Sequence, residues 1–304
     1  MNPALLFRQM IANRKARAGM IIFGLFAVVS LVGPWLVQDP TAFTAVPHQP
    51  PSWDNWFGTT GQGQDVFAQT IVGTRVTLAV GCATGFLVVL LGAVVGGIAG
   101  YLGGRTDNLL SLLINVFLVM PGLPLMVVLA AWLPPGPMTI LSVLVLTGWA
   151  WNARVLRAQT LSLAQRDFVL AAKVSGESTL RIVTAEILPN MLSLMTSSFI
   201  GATIYAIGAQ VGLEFLGLGD ISKVTWGTNL YWASNDSALL LGSWWTFVPT
   251  GVCIALLGFG LTLINFGVDE IANPQLATES RWVRKLKSRA TADGSTPVVE
   301  GGVK

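Results

Sequence analysis

The chain is 304 residues long, 53% hydrophobic and only 11% charged. A soluble domain carries about 25% charged residues, so this composition excludes a water-soluble globule and describes an integral membrane protein. The net charge is +3, and its information lies in where the charges sit.

Apolar runs close to the ~20 residues that cross about 30 Å of hydrocarbon occur near residues 19–37, 76–101, 109–132, 137–155, 192–214 and 243–267. The predicted fold class is therefore an all-α integral membrane protein with about six transmembrane helices. With the N-terminus placed in the cytoplasm, the inside segments hold 16 Lys/Arg and the outside segments hold two, Arg75 and Lys223. Shifting the topology by one span destroys that asymmetry, so the positive-inside rule places both termini in the cytoplasm. Three regions are expected: 1–75, with a basic flank, the first span and an outside segment; a five-helix core, 76–276; and a polar tail, 277–304.

Arg8, Arg14, Lys15 and Arg17 precede the first span, which lacks an A-x-A-like cleavage pattern and reads as retained. Residues 39–74 form a polar connection containing the single histidine, His48, which reads as ordinary loop surface. In the second span Gly92, Gly96, Gly100 and Gly104 recur every four residues. Such a small-residue stripe lets two membrane helices approach closely. The third span contains Met120-Pro121-Gly122-Leu123-Pro124. Proline removes a backbone donor and kinks a helix, and broken helices at membrane depth occur where protein or a water-filled cavity satisfies the freed groups. Pro121 and Pro124 thus mark either the pathway of a solute or a structural bend. The fourth span ends in Trp149, Trp151, Arg154 and Arg157, an anchor at the inner surface.

Between the fourth and fifth spans lies a polar insert, 158–190. Phe168, Ala171, Ala172 and Ser175 fall at i, i+3, i+4 and i+7 on one face of a short helix. Gly176 interrupts it, and a second short helix over about 178–188 is expected to stop near Pro189. Near the end of the fifth span Gln210 and Glu214 share a helix face; Glu214 is either a gate or substrate contact, or a solvated interfacial carboxylate. A loop with Trp226, Tyr231 and Trp232 follows, then Trp244 and Trp245 at an outer aromatic belt. In the tail, Arg281, Arg284, Lys285, Lys287 and Arg289 form a basic cluster able to lie along anionic membrane lipid.

Cys82 and Cys253 sit singly inside apolar runs, and no H-E-x-x-H or Cys/His cluster is present. No metal, cofactor or nucleic acid is called for. The hydrocarbon runs hold almost no Asp or Glu, which leaves no buried carboxylate pair for acid–base chemistry or a proton relay. No G-x-x-x-x-G-K-[ST] phosphate loop occurs. The chain is expected not to be an enzyme, and energy for any transport must come from a partner.

Several motifs carry a resemblance. Ala171-Ala172, Gly176 and, after another twelve residues, Leu188-Pro189 resemble the cytoplasmic loop motif of bacterial ABC-importer permeases. Arg166-Asp167-Phe168-Val169 and Ile187-Leu188-Pro189-Asn190 are similar to the branch importing dipeptides, oligopeptides and nickel. Phe57-Gly58-Thr59, Gly63, Asp65-Val66 and Gly73-x-Arg75 resemble its segment before the core. Leu213, Phe215-Leu216-Gly217-Leu218-Gly219 and Trp226-Gly227 resemble its late signature. The likeness spans residues 8–276 and implies a type I importer permease fold in the bacterial inner membrane. It further implies a second homologous permease subunit, two cytoplasmic ABC ATPase domains and an extracytoplasmic substrate-binding protein.

By that likeness Arg166, Asp167, Phe168, Ala171, Ala172, Gly176, Leu188 and Pro189 form the coupling loop, and Phe168, Ala171, Ala172 and Gly176 face the ATPase. The chain departs from the branch at Thr60 and Gln64, where an Asp and an Arg are common; at Leu170, where the wider motif often begins with Glu; at Ala185-Glu186, where a basic pair is frequent; and at Gln210, often a carboxylate. The resemblance makes peptides the leading cargo. Neutral Thr60 and Gln64, with abundant tryptophan, keep oligosaccharides open as the alternative, and nickel is third because soft ligands are few. A membrane scaffold without transport is the reading from a different class.

Overall fold

The computed structural model describes residues 10–43 and 45–272. Arg8 and the tail from 277, with its basic cluster, lie outside the described residues. Among the described residues the regular elements are helices: α1 (Arg14–Leu36), α2 (Val66–Leu102), α3 (Gly104–Val119), α4 (Gly122–Trp132), α5 (Pro137–Leu163), α6 (Asp167–Val174), α7 (Thr179–Phe215), α8 (Trp226–Asn235) and α9 (Val248–Ala272). Five helices are long and apolar enough to cross a membrane, or six when the bent pair α3–α4 is one span. The predicted count holds in that sense.

The break in the third span occurs where the prolines predict it. α3 and α4 meet at 85°, with Pro121 extended (φ −68, ψ 104) ahead of α4. The two prolines differ in effect. Pro121 ends one helix, whereas Pro124 sits in the first turn of α4, where a missing N–H costs nothing.

The second span differs from expectation at its start. It begins at Val66, where Asp65 caps it by accepting from the N–H groups of Phe67 and Ala68. The expected regional boundary at 75/76 therefore falls inside a helix. Gln69, Thr70 and Thr74 made this stretch look polar and extramembranous, but all three are buried. Thr70 and Thr74 return their hydroxyls to the carbonyls of Val66 and Thr70, which satisfies them inside the bundle. At 37 residues and 1.5 Å per residue, α2 is about 55 Å long and outreaches the hydrocarbon.

α2 is the central post. Its glycine stripe admits the backbone of α5: a Cβ on Gly96 would lie 2.5 Å from the carbonyl oxygen of Ala153, and one on Gly100 2.7 Å from Cβ of Thr160. Gly104 does not continue the stripe. With Gly103 it makes the turn out of α2, both at positive φ (+66 and +55), and a side chain there would meet nothing within 4 Å. On its other flank α2 receives α7 at Gly81 and Gly85, which face Ile207 and Thr203. α1 and α9 close the remaining side through Phe26, Leu257, Leu261 and Val268. Cys82 and Cys253 pack against this same cluster. Arg157, read with Trp149, Trp151 and Arg154 as an inner-surface anchor, grips Asp107 of α3 through Nε and Nη2 at 2.5 and 2.7 Å.

Candidate functional site

The polar insert folds into a corner at one end of the bundle. α6 starts after Arg166, with Asp167 in its first turn and Lys173 in its last, charges that suit the helix dipole. Gly176 ends it. Its φ of +77 lets its N–H reach the Lys173 carbonyl (3.1 Å) and that of Glu177 reach the Ala172 carbonyl (3.1 Å). This pair of bonds is a Schellman stop, which requires a left-handed residue. Ser178 then caps the next helix by accepting from the Arg181 N–H at 3.4 Å.

Val169 fastens α6 to the bundle: it is fully buried in a cluster with Leu156, Ile182, Ile187 and Met191, and Ala172 packs on the edge of that cluster. Lys173 adds a second tie, its Nζ 4.9 Å from the centroid of the Tyr101 ring at the end of α2. The outward surface is apolar. Phe168 is 39% exposed, Leu170 46%, Val174 90% and Leu180 74%. Of the four residues expected to face a partner, Phe168, Ala171 and Gly176 are exposed and Ala172 is half-buried against the chain's own core. Sequence reasoning missed Leu170, Val174 and Leu180. The run Phe168-Val169-Leu170-Ala171-Ala172 is apolar on every side, so its periodicity does not tell the inner half from the outer.

The second half of the insert corrects another expectation. The chain does not stop at Pro189. Residues Ile182–Ile187 form a π-helical turn and Leu188–Met191 a 3-10 turn, with Pro189 among the first residues of that turn. The change of hydrogen-bond register absorbs the proline's missing donor, and Thr179–Phe215 is one 37-residue element. The corner is thus the end of a membrane-crossing rod. Such irregular turns inside a helix are frequent places for bending.

At the opposite end of α7, Gln210 and Glu214 do lie together, but not at a solvated interface. Glu214 is 2% exposed. It accepts from Gln210 Nε2 at 3.0 Å, from Thr225 Oγ1 at 2.5 Å and from the backbone N–H of Gly227. A Cβ on Gly227 would come within 2.5 Å of Glu214 Oε2, and one on Gly219 within 2.8 Å of its Cγ. Trp226, fully buried, donates its indole N–H to the Thr70 carbonyl at 3.0 Å and its backbone N–H to Thr77 at 3.3 Å. The Gly219 and Trp226-Gly227 positions therefore tie α7, α8 and α2 around one buried carboxylate. Pro121 and Pro124 stand apart from this knot as exposed residues at the α3–α4 break.

The segment before α2 is likewise built on internal bonds. Thr60 Oγ1 accepts from the N–H groups of Gln62 and Gln64, and Gln64 accepts from Gln69 Nε2 at 2.6 Å. The neutral residues at 60 and 64 thus hold a turn. His48 is half-buried at φ +55 rather than plain surface. It lies near Asp236, whose carboxyl burial pushes up against the opposing pull of His48 and the Gly61 N–H.

A bundle of apolar rods around a glycine-striped post, with a short helix standing off one end, defines a polytopic membrane protein. Residues 92–270 match the family described as the binding-protein-dependent transport system inner membrane component, and residues 4–51 the N-terminal transmembrane domain of oligopeptide transport permease C. The chain is 33% identical over 275 residues to a dipeptide transport system permease of Bacillus subtilis, covering 89% of this chain and 85% of that one. It is 32% identical over 269 residues to the oligopeptide transport system permease of the same organism, covering 87% of each. A nickel transport system permease of Escherichia coli is 31% identical over 276 residues, covering 86% of this chain and 95% of the relative. The chain belongs to the binding-protein-dependent transport permeases, the membrane subunits of ABC importers in the peptide and nickel branch.

Proposed function

We propose that this permease subunit, paired with a second homologous permease, forms the path of an ATP-driven importer that takes up peptides. An extracytoplasmic binding protein delivers the peptide, and two cytoplasmic ABC ATPase domains grip the corner formed by α6 and the start of α7. Both termini lie in the cytoplasm in this reading, and ATP hydrolysis belongs to the partner subunits. Peptides are favoured because two of the relatives, at 33% and 32% identity, are dipeptide and oligopeptide permeases, and because the described residues hold no His, Cys, Asp and Glu grouping suited to nickel.

The observation that carries the proposal is the apolar rim of Phe168, Leu170, Val174 and Leu180, exposed on a corner continuous with a membrane-crossing helix. Coupling needs a partner whose own equilibrium favours one of two arrangements of this chain through differential contacts. A rim fixed to a 37-residue rod meets that need, since a push on the corner tilts the rod. Val169 and the Lys173–Tyr101 contact keep the push from being lost in a loose loop.

Placing arginine at Ala171, an exposed position on α6, sets a desolvated charge against an apolar groove. Ala171→Arg is expected to lower recovery of the ATPase with the affinity-purified permease by at least about tenfold, a change of ~1.4 kcal/mol. The permease itself should be recovered at its usual yield. Undiminished recovery of the ATPase would contradict docking at this face.

A further inference from the structure

We infer that the turn Leu239-Leu240-Leu241, between α8 and α9, is a membrane anchor that inserts among phospholipid acyl chains in the leaflet opposite the α6 corner. The inference goes beyond the permease reading and needs only that the rods cross a bilayer, so its failure would leave that reading standing. The turn is held in a fixed shape. Ala238 and Ser243 are buried at its base, where the Ser243 N–H donates to the Ala238 carbonyl at 2.8 Å. Within that closure the N–H groups of Leu240 and Leu241 both reach the Ser237 carbonyl, at 2.9 and 3.1 Å. Ser237 (φ +55) and Gly242 (φ +70) make two left-handed corners, a conformation that glycine takes freely and serine does not. The frame presents three leucines, 76%, 89% and 60% exposed.

Two registers set the turn at the membrane edge. No charged side chain stands between Asp236 and Asp269. From Val248, the first residue of α9, to Val268 the helix rises about 31 Å, which matches the ~30 Å of hydrocarbon. The far boundary therefore falls at the start of α9. α1 runs antiparallel to α9: a side chain on Gly267 would meet Ala16, and one on Gly19 would meet Gly260 and Ile264. Continued along both helices, that register brings Trp35, 79% exposed, level with the start of α9. Exposed tryptophan belongs at the membrane–water interface, so α1 and α9 mark the same edge independently. The crossing element begins at Trp244, and Leu241 stands three residues before it, a reach of at most about 10 Å. The leucines lie where headgroups meet acyl chains.

The chemistry favours lipid over a soluble partner. Contacts between proteins concentrate their energy in Trp, Tyr and Arg, with leucine under-represented, and surround it with a polar rim. The tip of this turn is leucine alone, and leucine is among the side chains that favour the bilayer most. On its C-terminal side the turn continues into the apolar span without a charge. On its N-terminal side it follows α8, whose cap Thr225 donates to the buried Glu214. An anchored turn therefore holds α8, and with it the knot around Glu214, at a set depth in the membrane.

The test uses the assembled importer in phosphatidylcholine nanodiscs, with Cys82→Ala and Cys253→Ala removing the two native thiols. Leu240→Cys carries an environment-sensitive NBD dye, with Leu239→Cys as a second variant should the first not assemble. Blue-shifted emission is expected. Quenching by a phosphatidylcholine that bears a nitroxide high on its acyl chain should exceed quenching by aqueous iodide several-fold. Adding the binding protein should change neither. Stronger quenching by iodide would leave the turn in water and overturn the inference. Shielding from both quenchers that develops only with the binding protein would make the turn a protein contact. Shielding from both at all times would set it against another subunit. Either result would also overturn the anchor. Stimulation of ATP hydrolysis by the binding protein, read in the same preparation, tests the permease reading separately.

Discussion

Glu214→Ala is expected to lose most of its folded, monodisperse protein in detergent, the largest effect predicted for any single side chain here. Truncation strands the Gln210 amide, the Thr225 hydroxyl and the Gly227 N–H, all within a buried knot. Each stranded donor costs roughly 1–3 kcal/mol, so a destabilisation on the order of 4 kcal/mol is expected. Glu214→Gln keeps the volume and one acceptor oxygen and should fall between wild type and alanine. Thermal unfolding in a fixed detergent, followed by size-exclusion recovery, measures the series. If Glu214→Ala kept the wild-type midpoint but altered transport, the carboxylate would be a gate or substrate contact instead of a fastening.

The second large effect is expected at Gly176. Valine there must hold a φ of +77, a conformation costing an L residue roughly 1–2 kcal/mol and more when β-branched. Nothing lies within 4 Å of the added Cβ position, so collision plays no part and the cost is backbone strain alone. The Schellman stop loosens, and the corner no longer presents α6 at a fixed angle to α7. Cargo-stimulated ATP hydrolysis should drop about five- to thirtyfold, with membrane insertion intact and the folding midpoint lowered by only a few degrees, roughly 2–4 °C per kcal/mol of strain. Gly176→Asn, which tolerates the left-handed region, should retain most of the stimulation. Equal losses in valine and asparagine would assign the effect to side-chain bulk at the contact. No loss in either would remove the turn from the coupling path.

How much of this was legible beforehand depended on whether the deciding contact was local. The break at Pro121, the left-handed turn at Gly176 and the glycine stripe of α2 are set by backbone geometry that a residue type announces, and each stands where the sequence placed it, save that Gly104 belongs to the turn after the helix. The early start of α2 was hidden because Thr70 and Thr74 satisfy their hydroxyls on their own helix, so polarity did not mean exposure. Pro189 read as a stop because a proline breaks an α-helix, but a 3-10 turn after a π-turn changes register and lets the chain continue.

The pairing of Gln210 with Glu214 was visible as a one-turn spacing. Its meaning was not, because Thr225 and Gly227 join it from another element. The same holds for Val169, which no local pattern distinguishes from Leu170 beside it; only the packing of Ile182 and Met191 selects the inner face. Sequence patterns thus located the corner and left its orientation to tertiary contacts.

The most direct test of the coupling claim is photocrosslinking from Val174, the most exposed apolar residue of α6 at 90%. A benzophenone amino acid at that position, irradiated in intact cells expressing the whole importer, is expected to yield one adduct, joining the permease to its ATPase and changing in intensity with nucleotide state. Adducts formed only with lipid or with the extracytoplasmic binding protein would place the corner on the wrong surface and contradict the account.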